Sequence, residues 1–126
     1  MAQLIDSPVR VPVPGGKSID EYVGRVVNGE TSVSIAHMKA PAGWDEPYQS
    51  PEFDEFTVVL AGSLEIDTPD GEIRVVAGQA VITRAGERIR YRTSEGAEYV
   101  AVCLPAFHGD LVHREDDDEY DRDPVE

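Results

Sequence analysis

The chain has 126 residues, the size of one domain with a sizeable core, and its 25 acidic and 11 basic residues give a formal net charge of −14. This charge opposes binding to nucleic acids and to anionic membranes, because both require a basic surface. The single cysteine, Cys103, excludes an internal disulfide. There is no leader-like segment and no long apolar run, so we expect a cytoplasmic protein whose partner is a small molecule.

The N-terminal part is predicted to form an extended arm with an edge strand over residues 9–13, because prolines and glycines punctuate residues 1–18. Residues 19–27 fit a short helix and a strand equally well. From residue 31 onward, short apolar segments are separated by Gly and Pro at roughly eight to twelve residues, which is typical of an antiparallel sandwich or barrel. The predicted strands are 31–39, 55–60, 63–67, 72–76, 80–84, 88–93 and 98–104, with a loop over 44–51 and a hairpin turn over 68–71.

These elements divide the chain into an N-terminal arm with an edge strand (1–30), a barrel (31–113) and a tail (114–126). The tail holds eight acidic residues and two arginines. A run of acidic residues with so few apolar ones is typical of a disordered, solvated chain end.

Two predicted strands, 56–60 and 99–104, are apolar on both faces, whereas a barrel wall in contact with water would alternate. We therefore expect the second face to be covered by another sheet or by a partner subunit, and we expect a homodimer.

The predicted strand over 88–92 does alternate. Arg88, Arg90 and Arg92 share one face, and Ile89 and Tyr91 share the other. The arginines are predicted to form a solvated stripe paired with acidic residues, and an anion site on that face is the alternative.

The glycine spacing between residues 43 and 93 resembles the two sequence motifs of the cupin superfamily. Gly43, Glu55 and Gly62 stand at the spacing of the first motif, and Gly78 and Gly86 stand at that of the second. The resemblance covers about 50 residues and involves positions that shape the turns between strands. It implies an all-β fold, the cupin double-stranded β-helix or jelly-roll barrel.

The positions where cupins usually carry metal-binding histidines hold Gln49, Pro51 and Ile89. Neither Pro51 nor Ile89 offers a side-chain donor atom, and an amide oxygen is a poor ligand for a transition metal. The resemblance therefore implies a barrel without the usual metal centre, and we expect no metal and no cofactor. The alternative is an atypical metal site built from His37, Gln49, Glu52 and Glu55.

Residues 53–66 resemble more closely the cupin domain of the ethanolamine-utilisation family. In that family an acidic pair, here Asp54 and Glu55, precedes an apolar strand that ends near Ala61-Gly62, and the usual histidines are also missing. We do not transfer the family's acetate-phosphate chemistry, because the chain has no phosphate-binding loop.

The resemblance places Glu55 inside the barrel, and strand alternation then turns Thr57 and Val59 inward as well. Loss of hydration raises the pKa of a carboxyl group, which suits a general acid or base. We expect Glu55 to transfer a proton and Tyr91 to donate to a developing oxyanion. The predicted substrate-binding residues are His37, Tyr48, Gln49, Glu52 and Thr57.

Three functions fit these residues. The first is a small-molecule-binding cupin that works by acid–base chemistry as an isomerase, cyclase or lyase. The second is a non-catalytic ligand-binding or sensory barrel, in which Glu55 supports a loop and Tyr91 is a core aromatic. The third is a metal-dependent cupin enzyme with atypical ligands.

Overall fold

The computed structural model of the chain describes residues 1–115. In this part the chain forms strands and one short 3-10 helix at Gly109–Leu111. The strands are β1 (Val9–Val11), β2 (Ser18–Val23), β3 (Ser34–Ala40), β4 (Trp44–Asp45), β5 (Asp54–Thr68), β6 (Gly71–Val76), β7 (Ala80–Thr83), β8 (Arg90–Thr93) and β9 (Ala97–Leu104). No helix in these residues has the length and hydrophobicity to cross a membrane.

All strand pairs are antiparallel, and β5 joins the two halves of the curled sheet. In its first half β5 pairs with β9 and β7, and β9 continues through β3 and β2 to β1. In its second half β5 pairs with β6 and β8, and β8 also pairs with β4. The buried side chains of both halves meet between them, with Val59, Leu64 and Ile66 of β5 almost fully enclosed.

Several local predictions need correction. Residues 19–27, left open between helix and strand, contribute most of β2. The predicted strands 55–60 and 63–67 are one 15-residue strand, because the chain continues through Ala61-Gly62 with a register irregularity instead of a break. The predicted loop 44–51 contains the short strand β4, and Gln49 forms isolated bridges to Ile89 and Arg114.

The first 30 residues add β1 and β2 to the same sheet as β3. At the other end, Arg114 and Glu115 lie against the barrel, where the Glu115 backbone N–H donates to the Tyr48 carbonyl at 2.9 Å. The predicted acidic, disordered tail thus begins with two placed residues, and its remainder, 116–126, lies outside the described part.

The motif glycines lie where the backbone turns with positive φ: Gly43 (81°), Gly62 (74°), Gly78 (88°) and Gly86 (86°). Gly62 has a second constraint, because a Cβ there would lie 2.1 Å from the Gly96 carbonyl oxygen. The sequence motif therefore marks backbone geometry, as the spacing predicted.

The arginine stripe is confirmed as an ion-pair surface. Arg90 and Arg92 both bond to Asp67, at 3.0 and 2.9 Å, and Arg88 bonds to Glu115 at 2.7 Å. The Arg92 hydrogen bond, more than the Arg90 bond, lowers the pKa of the Asp67 carboxyl despite the opposing effect of burial. The opposite face carries Ile89 and Tyr91 into the core, as alternation predicted.

Candidate functional site

A cavity of about 60 Å³ opens into the barrel between β2, β3, β8 and β9. A water molecule needs roughly 10–15 Å³ by this measure, so the space fits only a small molecule or a few waters. Its walls are largely apolar and include Ile19, Ala36 and Met38. Among the polar groups that line it are Lys17, Glu46, Gln49, Glu55, Tyr91 and Tyr99.

Glu55 lies near the start of β5, with Cys103 of β9 on one side and Thr83 of β7 on the other. Its pKa is raised from 4.5 to about 7, chiefly because burial removes water from the carboxylate and then because of the nearby charge of Glu46. The charge of Lys17 and a hydrogen bond with Tyr91 act in the opposite direction. The group is therefore poised to bind or release a proton near neutral pH.

Tyr91 brings a buried phenol to the same cavity from β8. Its hydroxyl shares a 2.8 Å hydrogen bond with the Thr83 hydroxyl. Burial, reinforced by the neighbouring Glu55 charge, raises the pKa of Tyr91 well above its usual value. The phenol keeps its proton at neutral pH and serves as a hydrogen-bond donor.

Lys17 and Glu46 are functional candidates that our sequence analysis missed. The Lys17 ammonium lies 4.4 Å from the centre of the Trp44 ring and 5.5 Å from that of Tyr99. Burial lowers the pKa of Lys17, but the interactions with Tyr99 and with the Glu46 carboxylate outweigh this effect and the pKa is raised. Burial raises the pKa of Glu46, against the opposing charges of Lys17 and Arg114.

One sequence signal was available for Lys17. The chain has only two lysines, and this one follows directly on the Gly15-Gly16 turn.

Two predicted substrate-binding residues lie in the interior. Gln49 lines the cavity, and its backbone is fixed by hydrogen bonds with Ile89 at 2.8 and 2.9 Å. Thr57 points into the core from β5, as alternation predicted, but it packs away from the cavity lining.

The other three predicted substrate-binding residues, His37, Tyr48 and Glu52, do not line the cavity. His37 alternates with buried Ala36 on β3 and therefore faces outward, where it pairs with Glu98 at 2.6 Å.

Tyr48 and Glu52 lie in the segment before β5. The Tyr48 ring stacks against the Arg88 guanidinium, 3.9 Å from the ring centre. Glu52 is exposed and bonds to His113 at 2.5 Å. The sequence could not assign these side chains, because no strand alternation governs this loop.

The same placements correct the alternative metal site. Its four proposed ligands are not assembled, since His37 and Glu52 bond to other partners outside the cavity. Within residues 1–115, no three His, Cys, Asp or Glu side chains are grouped so that they could hold a metal ion. The residues present do not fit a cupin metal centre, and no chemical step is assigned to one.

A family model for the AraC-binding-like domain matches residues 7–124. The chain belongs to this family. The match includes both glycine motifs and the N-terminal strands that close the cavity.

Solved structures with 20% identity or less show the fold. A putative ethanolamine utilization protein Q from Salmonella typhimurium is 20% identical over 72% of this chain and 71% of its own, with a TM-score of 0.59. An oxalate decarboxylase from Bacillus subtilis is 15% identical over 90% of this chain and 33% of its own, with a TM-score of 0.71. The predicted cupin jelly-roll barrel and the ethanolamine-utilisation resemblance are thereby confirmed for the fold.

One curated relative matches at higher identity. The endoribonuclease YbeY of Myxococcus xanthus is 43% identical over 107 residues, which make up 83% of this chain and 36% of that protein. The chain thus spans about a third of the length of this relative.

Proposed function

We propose that this domain binds a small organic molecule in the Glu55 cavity and transfers a proton on it. The observation that carries this proposal is a carboxyl group whose pKa is about 7, in a small and mostly apolar cavity that also holds a phenol donor. A catalytic acid or base works best when its pKa lies near the operating pH.

The chemistry follows from the two groups. The Glu55 carboxylate would remove a proton from a carbon next to a carbonyl group, and the electron pair would move onto the carbonyl oxygen. Tyr91 would donate a hydrogen bond to that oxygen as its negative charge develops. In a β,γ-unsaturated carbonyl compound, return of the proton to the γ carbon, as the carbonyl double bond re-forms, completes an isomerisation without any other reactant, and Gln49 would orient the substrate.

A carbon-13 NMR titration of the glutamate side chains tests the proposal, with Glu55→Gln used to assign the Glu55 signal. We expect a Glu55 midpoint near pH 7, and a midpoint below pH 5 would overturn the proposed role. Small carbonyl compounds would then be incubated with the protein in heavy water. Deuterium incorporation that is lost in Glu55→Gln identifies proton transfer.

A non-catalytic ligand-binding barrel is the second candidate, and the description of the family as AraC-binding-like favours it. This function predicts a compound that raises the melting temperature but gains no deuterium.

The endoribonuclease activity named for the Myxococcus relative is not carried over, because the net charge of −14 opposes RNA binding. We propose that the protein works in the cytoplasm, where the buried Cys103 thiol stays reduced.

We also propose that a second copy of the chain covers the outer face of β5, β7 and β9. Val58, Leu60, Ile82 and Leu104 on this face are each 43–52% exposed. Its edges carry the oppositely charged pair Arg84–Asp54 and the hydrogen-bonded pair His37–Glu98. Around a two-fold axis, the apolar face of one copy would pack against the same face of the other, with the charged edges also facing each other. Such complementarity is required because the net charge of the chain makes two copies repel each other.

Ile82→Asp is expected to convert the dimer to a monomer, because it places a charge within the apolar face. The measurement is the molar mass in solution by light scattering. Ile73→Asp is the matched control, since Ile73 is 43% exposed on β6, away from this face. A wild-type protein that is monomeric at all concentrations would contradict the proposal.

A further inference from the structure

We propose that Lys17 is a positioning residue whose ammonium, held between two aromatic rings, is the built-in counter-ion of Glu46 and Glu55 and sets the pH at which Glu55 exchanges its proton. The inference rests on the proposed acid–base function and adds the element that controls it.

The geometry fixes an otherwise flexible side chain. Lys17 precedes β2 and follows two glycines with positive φ, which turn the chain back over the barrel. Its ammonium lies near the centres of the Trp44 and Tyr99 rings, at 4.4 and 5.5 Å, and both rings are buried in the core. Cation–π contacts of this kind are stronger when the cation is shielded from water.

The charges around Glu55 come from every side of the cavity. Lys17 and Arg114 contribute two positive charges, and ionised Glu21, Glu46 and Glu55 contribute three negative ones, so these described lining residues sum to −1. The Glu21 carboxylate is already engaged, since it accepts hydrogen bonds from the backbone N–H groups of Val26 and Val27 at 3.0 Å.

Tyr91 and Tyr99 also line the cavity. Both phenols are uncharged at neutral pH, because burial raises their pKa values. Burial and the Glu46 charge both oppose ionisation of Glu55, whereas Lys17 favours it.

Removal of the Lys17 charge would therefore leave the charged lining residues, Arg114 included, summing to −2 when Glu55 is ionised. Glu46 and Glu55 would then compete for a proton, because two carboxylates in a dry site do not ionise independently.

The test compares three variants by the carbon-13 titration of Glu55. Lys17→Met keeps the length of the side chain and removes its charge, and we expect the midpoint to rise by about one pH unit or more. Lys17→Arg restores the cation and is expected to return the midpoint toward the wild-type value. Lys39→Met removes the other lysine, which is exposed on β3, and is expected to leave the midpoint unchanged.

A second measurement uses the wild-type chain and needs no variant. The Lys17 side-chain carbon next to the ammonium is expected to shift as Glu55 titrates, with the same midpoint. A folded Lys17→Met protein with an unchanged Glu55 midpoint, or a Lys17 signal that does not respond, would overturn the inference.

The two proposals fail in different ways. If Glu55 of the wild-type protein titrates below pH 5, the proposed function itself fails. If Glu55 titrates near pH 7 and does not respond to Lys17→Met, only the role of Lys17 is wrong.

Discussion

Glu55→Gln is expected to make the folded protein more stable than wild type at pH 8, by about 1–3 kcal/mol, and to have little effect at pH 4. The pKa of Glu55 is about 7 in the folded chain, against an ordinary value of 4.5. Each tenfold change in proton affinity is worth about 1.4 kcal/mol, and partial exposure of the residue reduces the total.

The sign follows from proton linkage. Because the folded state binds the Glu55 proton more tightly than the unfolded state does, the contribution of this carboxyl is most favourable below its unfolded pKa of 4.5. That contribution declines as the pH rises to about 7 and then stays constant. Glutamine has the shape of the protonated carboxyl group and carries no charge, so the variant lacks this decline.

The measurement is urea unfolding of both proteins between pH 4 and pH 8. Glu87→Gln is the control, because Glu87 lies in the turn before β8 and does not line the cavity. A stability difference between Glu55→Gln and wild type that is constant across this range would contradict the raised pKa.

Gly62→Ala is expected to lower the free energy of unfolding by roughly 3 kcal/mol. Two costs combine at this position. Its φ of 74° is a conformation that costs an L-residue roughly 1–2 kcal/mol. The added methyl group would lie 2.1 Å from the backbone oxygen of Gly96, and forced repacking typically costs 1–3 kcal/mol.

Gly29→Ala separates the two costs. Gly29 has nearly the same φ, 72°, but an added Cβ would meet no atom within 4 Å. We expect this variant to lose only about 1–2 kcal/mol in urea unfolding, which is the cost of the backbone conformation alone. Equal losses in the two variants would show that the approach of Gly96 to Gly62 is not a tight contact.

The outer face of β5 shows which information comes from the residue pattern and which comes only from the tertiary structure. Continuous apolar residues in 56–60 predicted that both faces of this strand are covered. The structure adds that no second sheet of the described chain provides the outer cover, because Val58 and Leu60 remain about half exposed. The strand's own composition could not distinguish a covering sheet from a covering subunit.

The sequence by itself predicted the barrel, and the family resemblance carried by its motifs placed Glu55, Tyr91 and Gln49 in the interior. Turn glycines and strand alternation are local properties, since each depends on a few neighbouring residues and their backbone angles. Local rules failed where alternation does not apply, in the 44–53 segment, and they could not show that Ala61-Gly62 continues a strand.

Only the tertiary structure decided which charges surround Glu55. Lys17, Glu46 and Arg114 lie far from one another in the chain and reach the cavity from three separate segments. The pKa of a buried carboxyl depends on the sum of desolvation and all nearby charges, whatever their separation in sequence. The strands are therefore set by neighbours along the chain, whereas the proton affinity of the site is set by neighbours in space.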